Sequence, residues 1–485
     1  MTTFLGQPFD EIFFAKKIEK MLEHGSMNDE TLDFLAHYAT WALHSKEGQL
    51  VHKNDIIFKM PTLVQFDQLI PFEDVEEQGV LKKYIPDAKA RDGFHYPDEG
   101  LTDKEAFDAA SYCVKCHPQG KDSCSKGMRD TEGKNKINPL GNVLSGCPLK
   151  QKISEMMVMY EQGYTLGALS IVMIDNPLLA MTGYRICNDC MKGCIFQKQD
   201  PVNVPGVEST VLRNILHLPK GFEIYSLLTR WNPLKSANFI ESPIQKKSVL
   251  VVGLGPAGIA LSYYLLRAGF HVVAIDGTKI ERLSERWVGS CSKPLDFDPV
   301  VDVSDVFDDL ESRVIQGFGG VMEYGITVRW DKNLLTLMRL VLERHQHFRL
   351  YDGVRFGGTI GFQEARDLGV DHVAFCVGAG EPKKPLIHNV FSKGIRFASD
   401  FLMSLQLTGA YKKESYVNMD IELPLIVLGA GLTAIDTATE ALAYYPRLVE
   451  RFYQTYQKLV EKIGETRIQA CWNEEERERG MRYIE

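Results

Sequence analysis

Residues 248–276 read SVLVVGLGPAGIALSYYLLRAGFHVVAID, a pattern that fits a strand, a glycine-rich turn, a helix and a second strand. Val249, Leu250, Val251 and Val252 form an unbroken aliphatic run, as expected of a strand buried on both faces of a parallel sheet. Gly253, Gly255 and Gly258 follow as G-x-G-x-x-G, with Pro256 and Ala257 before the last glycine. The first glycine allows the tight turn, the second lets backbone approach a pyrophosphate, and the third lets helix and strand pack closely. The helix that opens here presents unpaired N–H groups and a positive dipole end to phosphates. Gly269 stops that helix, residues 271–275 form the next strand, and Asp276 ends it where an acid can bond a ribose hydroxyl. These features together predict an α/β domain with a bound dinucleotide. The ligand-free alternative is a packing turn of the same shape.

At 485 residues the chain should hold about three domains. It carries 55 basic and 64 acidic residues, a net charge of −9, which offers no field for nucleic acid. The N-terminus has neither a basic start nor a long apolar core, so no secretory signal is expected. The longest apolar stretch, near residues 166–174, is too short to span a bilayer. A cytoplasmic protein with no membrane partner is the expectation. Its ten cysteines are then not expected to pair as disulfides, because that compartment is reducing.

Seven of the ten cysteines fall between residues 113 and 194, and that clustering points to metal. The spacing is C-x2-C-x7-C-x22-C-P through Cys113, Cys116, Cys124 and Cys147, then C-x2-C-x3-C through Cys187, Cys190 and Cys194. Such spacings let several thiolates reach one small iron–sulfur cluster, and a Cys-Pro turns the chain away from it. Zinc is the rival reading, with His117 available as a ligand, though seven cysteines divide awkwardly into tetrahedral sites, and free buried thiols are the remaining alternative.

Elsewhere the pattern is coarser. Residues 1–100 read as an α-rich extension with helices over 9–22 and 29–43 and a packing or docking role. Thr102-x-x-Glu105 is a capping box opening a helix that leads into Cys113. Helices are predicted over 153–161 and 166–174. Gly320, Tyr324 and Gly325 belong to a second glycine-dense turn. Strands are expected at 348–351 and, as a buried strand, at 372–377, the latter ending at Gly378, where small residues let backbone approach a ligand. Cys291 reads as a packing cysteine. Residues 424–428 are predicted as another buried strand. Gly429, Gly431, Thr433 and Ala434 then form G-x-G-x-x-A, a second dinucleotide turn with a helix to about residue 443. A separate helix is expected over 447–463. Too few residues follow this turn to close a further sheet, so this domain is expected to be incomplete.

The assembled strings resemble the glutamate synthase small-subunit family and the N-terminal module of dihydropyrimidine dehydrogenase, over about residues 101–445. They are Gly146-Cys-Pro-Leu149, Arg185-Ile-Cys187 through Cys194, Asp200-Pro-Val-Asn-Val204 with Glu208, the first glycine turn, Gly320-Val-Met-Glu-Tyr-Gly-Ile326, and Gly429-Ala-Gly-Leu-Thr-Ala-Ile-Asp436. The resemblance implies two [4Fe–4S] clusters, FAD on the first Rossmann domain and NAD(P)H on the second. It further implies Cys113, Cys116, Cys124 and Cys194 around the first cluster. Cys147, Cys187 and Cys190 would hold the second, with Glu208 as its non-cysteine ligand. Departures are the long loop between Cys124 and Cys147, the insertion after Asp276, and Leu432 where the family has Asp. The Arg pair for the NADP phosphate and the late Gly-Asp motif are not seen, which implies a fragment of a longer polypeptide or a degenerate nicotinamide half.

The expected layout is an α-helical iron–sulfur domain followed by two Rossmann-like FAD and NAD(P) domains. Boundaries are 1–100 for the extension, 101–225 for the cluster domain, 226–248 for a linker, 249–400 for the FAD domain and 401–485 for the partial NAD(P) domain. The expected activity is NAD(P)H-dependent electron transfer through FAD and clusters to a partner subunit or domain. No side-chain acid, base or nucleophile is expected to be catalytic. The alternative is a non-catalytic electron-wiring or scaffold subunit that keeps clusters and FAD.

Overall fold

A computed structural model describes every residue except 54, 87–89, 184–185, 236–241, 291, 314–321, 323 and 329–330. The expectations for Gly320 and Cys291 therefore lie outside the described residues. The chain forms two compact units.

The first unit comprises residues 1–85, 101–168 and 188–210. Its N-terminal helices are Glu11–Glu23 and Asp29–His44. Asp10 and Asn28 start them by accepting backbone N–H groups of Phe13 and Thr31, at 2.7 and 2.8 Å. They enclose Leu5, Phe14, Ala42 and Phe58. Buried in the same core, His52 bonds Tyr38 Oη at 2.8 Å and Asp55 Oδ2 at 2.7 Å. The strands β1 (Glu73–Glu77) and β2 (Val80–Tyr84) form an exposed antiparallel hairpin that the sequence did not announce. Its turn residues Gln78 and Gly79 both have positive φ, 54° and 77°, as a tight hairpin turn requires. The capping box of Thr102 and Glu105 opens the helix Asp103–Tyr112, and Cys113 is its C-cap. The helix Ile153–Glu161 packs against that helix.

The second unit comprises residues 86–100, 169–187 and 211–485. It holds four parallel strands, β3 (Ser248–Val252), β4 (His271–Ile275), β5 (Phe348–Tyr351) and β6 (His372–Phe375). Their order across the sheet is β5-β4-β3-β6. Val249 to Val252 are all buried, as their aliphatic run requires. β6, expected as a buried strand to residue 377, instead ends at Phe375 and is partly exposed, because it lies at the edge of the described sheet. The helix Pro256–Arg267 joins β3 to β4, and the helices Leu334–Glu343 and Phe362–Asp367 precede β5 and β6. Successive connections run outward one way from β3 and then return to its other side. The carboxyl ends of β3 and β6 therefore flank a topological switch point, where ligands of open α/β sheets bind.

The C-terminal part departs from the expected second Rossmann domain. Residues 424–428 form no strand among the described residues, and Leu425, Ile426 and Leu428 are 45, 79 and 77 % exposed. A strand exists only by pairing, and no neighbouring strand is described here for it. The two expected helices are instead one, Leu432–Ile463, 32 residues long with Pro446 inside it. Burial of Ala443, Tyr444, Leu448 and Tyr456 along one side offsets the donor lost at the proline. Around this helix lie Phe94, Phe401, Leu405, Tyr411 and Tyr483, the core of the C-terminal part.

Candidate functional site

The first glycine turn sits at the carboxyl ends of β3, β4 and β6. Gly253 has φ +93°, and a Cβ there would meet the Cys376 carbonyl oxygen at 2.6 Å. A Cβ on Gly258 would lie 1.9 Å from the Gly253 carbonyl oxygen. Neither position tolerates a side chain. Gly255 is different: nothing lies within 4 Å of its Cβ position. Its surroundings are the open space a pyrophosphate needs. Gly255 is the N-cap of the helix Pro256–Arg267, Pro256 opens that helix, and Ala257 is exposed in its first turn. Gly378, at φ +67° beyond β6, also faces open space.

Asp276 is buried at the end of β4. Its Oδ2 accepts the Leu254 N–H at 2.8 Å, and its Oδ1 accepts from the Thr278 N–H and hydroxyl at 2.9 and 2.6 Å. The acid expected at a ribose thus first braces the glycine turn, and a ribose hydroxyl would have to share its oxygens. Cys376, beneath the turn, carries no motif that a sequence could show, because its role is made by backbone contact alone.

In the first unit Cys113, Cys116, Cys124 and Cys194 line one cavity, together with Ile153, Ile195, Phe196, Val202 and Val204. Three separate chain segments bring them there. Cys124 lies on the short helix Ser123–Lys126, and its carbonyl accepts the Cys147 N–H at 2.8 Å. The segments carrying Cys147 and Cys194 meet at glycines. A Cβ on Gly193 would stand 2.7 Å from the Ser123 carbonyl oxygen and 3.1 Å from Gly146 Cα. Burial pushes the Cys113, Cys124 and Cys194 thiols upward, and neighbouring thiols add to this, Cys116 foremost for Cys124. Backbone N–H groups act the other way, from Lys115 on Cys113 and from Val202 and Phe196 on Cys194. Four clustered thiols with N–H donors aimed at sulfur suit a bound cationic centre, which removes the penalty of gathering thiolates.

Cys147, Cys190 and Glu208 are also buried in this unit, whereas Cys187 is exposed and falls in the second unit. Glu208 has no hydrogen-bond or ion-pair partner among the described residues, and burial pushes its carboxyl up to about 7. Among the described residues no group of three or more His, Cys, Asp or Glu is gathered around a single metal-ion position. His117, the rival zinc ligand, pairs instead with Glu155.

Tyr324 and Gly325 pack beside the long helix. A Cβ on Gly325 would lie 2.8 Å from Glu440 Cγ. Glu440 is fully buried and accepts the N–H groups of Ile326 and Thr327, at 3.0 and 3.1 Å. Its importance was invisible in the sequence, being a contact across more than a hundred residues. Gly429 has φ +140°, Gly431 is the N-cap of Leu432–Ile463, and Thr433 and Ala434 lie half-buried in its first turn. The second turn therefore has the expected turn-to-helix form but not the preceding strand.

No protein-family model matches the chain. It is 52 % identical over 283 residues to the uncharacterized protein RP006 of Rickettsia prowazekii, covering 58 % of this chain and 38 % of that one. It is 25 % identical over 318 residues to the glutamate synthase [NADPH] small chain of Bacillus subtilis, covering 64 % and 52 %. With the glutamate synthase [NADH] of Schizosaccharomyces pombe it shares 25 % over 304 residues, covering 60 % and 12 %. A further relative, 24 % identical over 311 residues and covering 62 % of this chain and 23 % of that one, is the putative oxidoreductase YgfK of Escherichia coli (strain K12). The chain spans about half or less of the length of these relatives. No helix among the described residues is long and apolar enough to cross a membrane.

Proposed function

We propose that the chain is an oxidoreductase of glutamate synthase small-subunit type, passing electrons from NAD(P)H through FAD to [4Fe–4S] clusters and on to a partner subunit or domain. The four-cysteine cavity carries this reading, since no structural need explains four thiols lining one space. When bound, FAD would take an electron pair from the nicotinamide and the clusters would pass electrons singly.

The chain's own residues supply binding and insulation. Gly255, Pro256 and Ala257 leave the helix N-terminus open to a pyrophosphate, and Gly253 and Gly258 hold the turn against β6. Asp276 fixes that turn and offers oxygen to a ribose. Cys113, Cys116, Cys124 and Cys194 would hold the first cluster, and the apolar side chains beside them exclude water from it. Cys147, Cys190 and Glu208 of the first unit would contribute ligands to the second. Glu208 suits the part because a buried carboxylate without a donor gains most from a metal. The nicotinamide dinucleotide would bind at Gly429, Gly431, Thr433 and Ala434, with Gly320, Tyr324 and Gly325 completing the nucleotide sites.

One observation favours a second reading, an electron-wiring or scaffold subunit that does not oxidise nicotinamide: residues 424–428, before the second turn, lie exposed and unpaired among the described residues. The anaerobic visible spectrum decides between them. Flavin and iron–sulfur absorbance that bleaches with NADH or NADPH supports oxidation of nicotinamide. Coloured protein that never bleaches supports the scaffold, and colourless zinc-loaded protein removes both readings.

A further inference from the structure

Tyr112 ends the helix Asp103–Tyr112 and passes the chain directly to Cys113. Its phenol oxygen is buried and has no hydrogen-bond partner among the described residues. A buried O–H that lacks an acceptor is costly and needs a reason. Two neighbours fix the ring. Phe196 stacks on it with centroids 4.9 Å apart and planes inclined by 22°. The Lys59 ammonium stands 5.5 Å from its centroid.

Both neighbours lead to the chain that carries Cys194. Phe196 lies two residues beyond that cysteine and lines the four-cysteine cavity. Lys59 Nζ is 2.6 Å from Asp200 Oδ2, and the Val64 N–H donates to the Lys198 carbonyl at 2.8 Å. The N-terminal residues 59–64 are thereby tied to the segment that follows Cys194. Tyr112 joins the two arms that deliver Cys113 and Cys194, and its hydroxyl is the unused donor at that junction.

We propose that the Tyr112 hydroxyl donates a hydrogen bond to the sulfur cage of a cluster held by Cys113, Cys116, Cys124 and Cys194, with Lys59 as the positioning residue for its ring. This rests on the cluster reading above. Donors to cluster or thiolate sulfur stabilise the more negative, reduced state and raise the reduction potential. The N-terminal region then has a role beyond packing, since it holds a donor in place beside the first cluster.

The test uses the full chain, purified without oxygen and titrated with reductant while the cluster signals are followed by electron paramagnetic resonance. Tyr112→Phe removes one oxygen and keeps the ring stack. It should retain its iron and lower the potential of one cluster only. At the original midpoint the reduced-to-oxidised ratio should drop about tenfold, which is 59 mV for a one-electron couple. Lys59→Met should shift the same cluster in the same direction, and Lys59→Arg should restore it. An iron-replete Tyr112→Phe protein with unmoved potentials overturns the proposal. If that variant loses its iron, unmoved potentials in Lys59→Met overturn it instead. Unsubstituted protein that holds no iron sinks the cluster reading itself, an outcome distinct from either.

Discussion

A β-carbon on Gly253 would stand 2.6 Å from the carbonyl oxygen of Cys376, because the turn after β3 rests on the backbone at the end of β6. Gly255, two residues on, has nothing within 4 Å of its own Cβ position. The pair separates folding from binding. Gly253→Ala combines a backbone clash with φ +93°, a strain worth about 1–2 kcal/mol alone, so it should lower the melting temperature and the flavin content together. Gly255→Ala should melt like the unsubstituted protein yet lose flavin, since its methyl occupies the space a pyrophosphate would enter. Full flavin occupancy in both variants would remove this turn from the FAD site.

The cavity cysteines make a second, independent prediction. Cys124→Ser should cost about four irons per chain, one cluster's worth, while Cys471→Ser, at an exposed position, should cost none. Metal analysis of the two proteins side by side measures this. Equal iron in both would mean that the four-thiol cavity is not the cluster site.

What the sequence discloses and what it hides follow a physical division between local and non-local causes. The segment from Val249 to Asp276 was legible because turn, helix and buried strand are dictated by neighbours in sequence. Residues 424–428 have the same aliphatic character as β3, yet strand formation depends on a partner, and composition cannot supply one. The hairpin β1–β2 was illegible because every residue in it is exposed, leaving no apolar alternation to read. Cysteine spacing shows only which thiols lie close together within one loop. That Cys194 joins Cys113, Cys116 and Cys124 depends on Gly193 packing against the Ser123 carbonyl, which is tertiary. Tyr112, Lys59 and Glu440 carry no motif at all.

Glu208 predicts a pH dependence for the metal-free chain. Burial raises its folded carboxyl from 4.5 to about 7. Between those values the folded state holds a proton that the unfolded state has released, so stability must fall as pH rises through this window. The full effect is about 3 kcal/mol, at 1.36 kcal/mol per unit. Chelated protein unfolded in urea at pH 5 and pH 7 should show the loss, and Glu208→Gln should flatten it. A chelated protein more stable at pH 7, with the glutamine variant unchanged, would contradict the buried, unpartnered carboxyl.

Glu440 predicts a stability effect with no direct role in binding. Its carboxylate accepts from the Ile326 and Thr327 N–H groups and from the Thr327 hydroxyl at 2.8 Å, with the Arg91 guanidinium 3.8 Å away. Arg91 and Glu440 are both buried. Glu440→Ala would leave three donors without their acceptor and remove the counter-charge beside Arg91, which keeps the Thr439 and His95 carbonyls, costing about 3–5 kcal/mol. Glu440→Gln keeps one acceptor and should cost less. Urea midpoints of the two variants test this ordering, and a cost below about 1 kcal/mol for the alanine variant would show that water replaces the carboxylate.

The exposed aliphatic residues before the second glycine turn offer the last test. Ile426 is 79 % exposed and lies in an aliphatic run that pairs with no strand among the described residues. Exposed aliphatic runs without a pairing partner can recruit other strands. Ile426→Glu removes apolar surface without touching a core, so the stability of the isolated chain should change by less than about 0.5 kcal/mol. The same substitution should reduce binding of a hydrophobic dye and suppress self-association at high concentration, measured by light scattering. If it instead costs more than about 2 kcal/mol, Ile426 is buried in the protein as it exists in solution. Residues 424–428 would then have found a sheet to join, and nicotinamide oxidation would gain over the scaffold reading, because a paired strand is what places Gly429 and Gly431 for a dinucleotide.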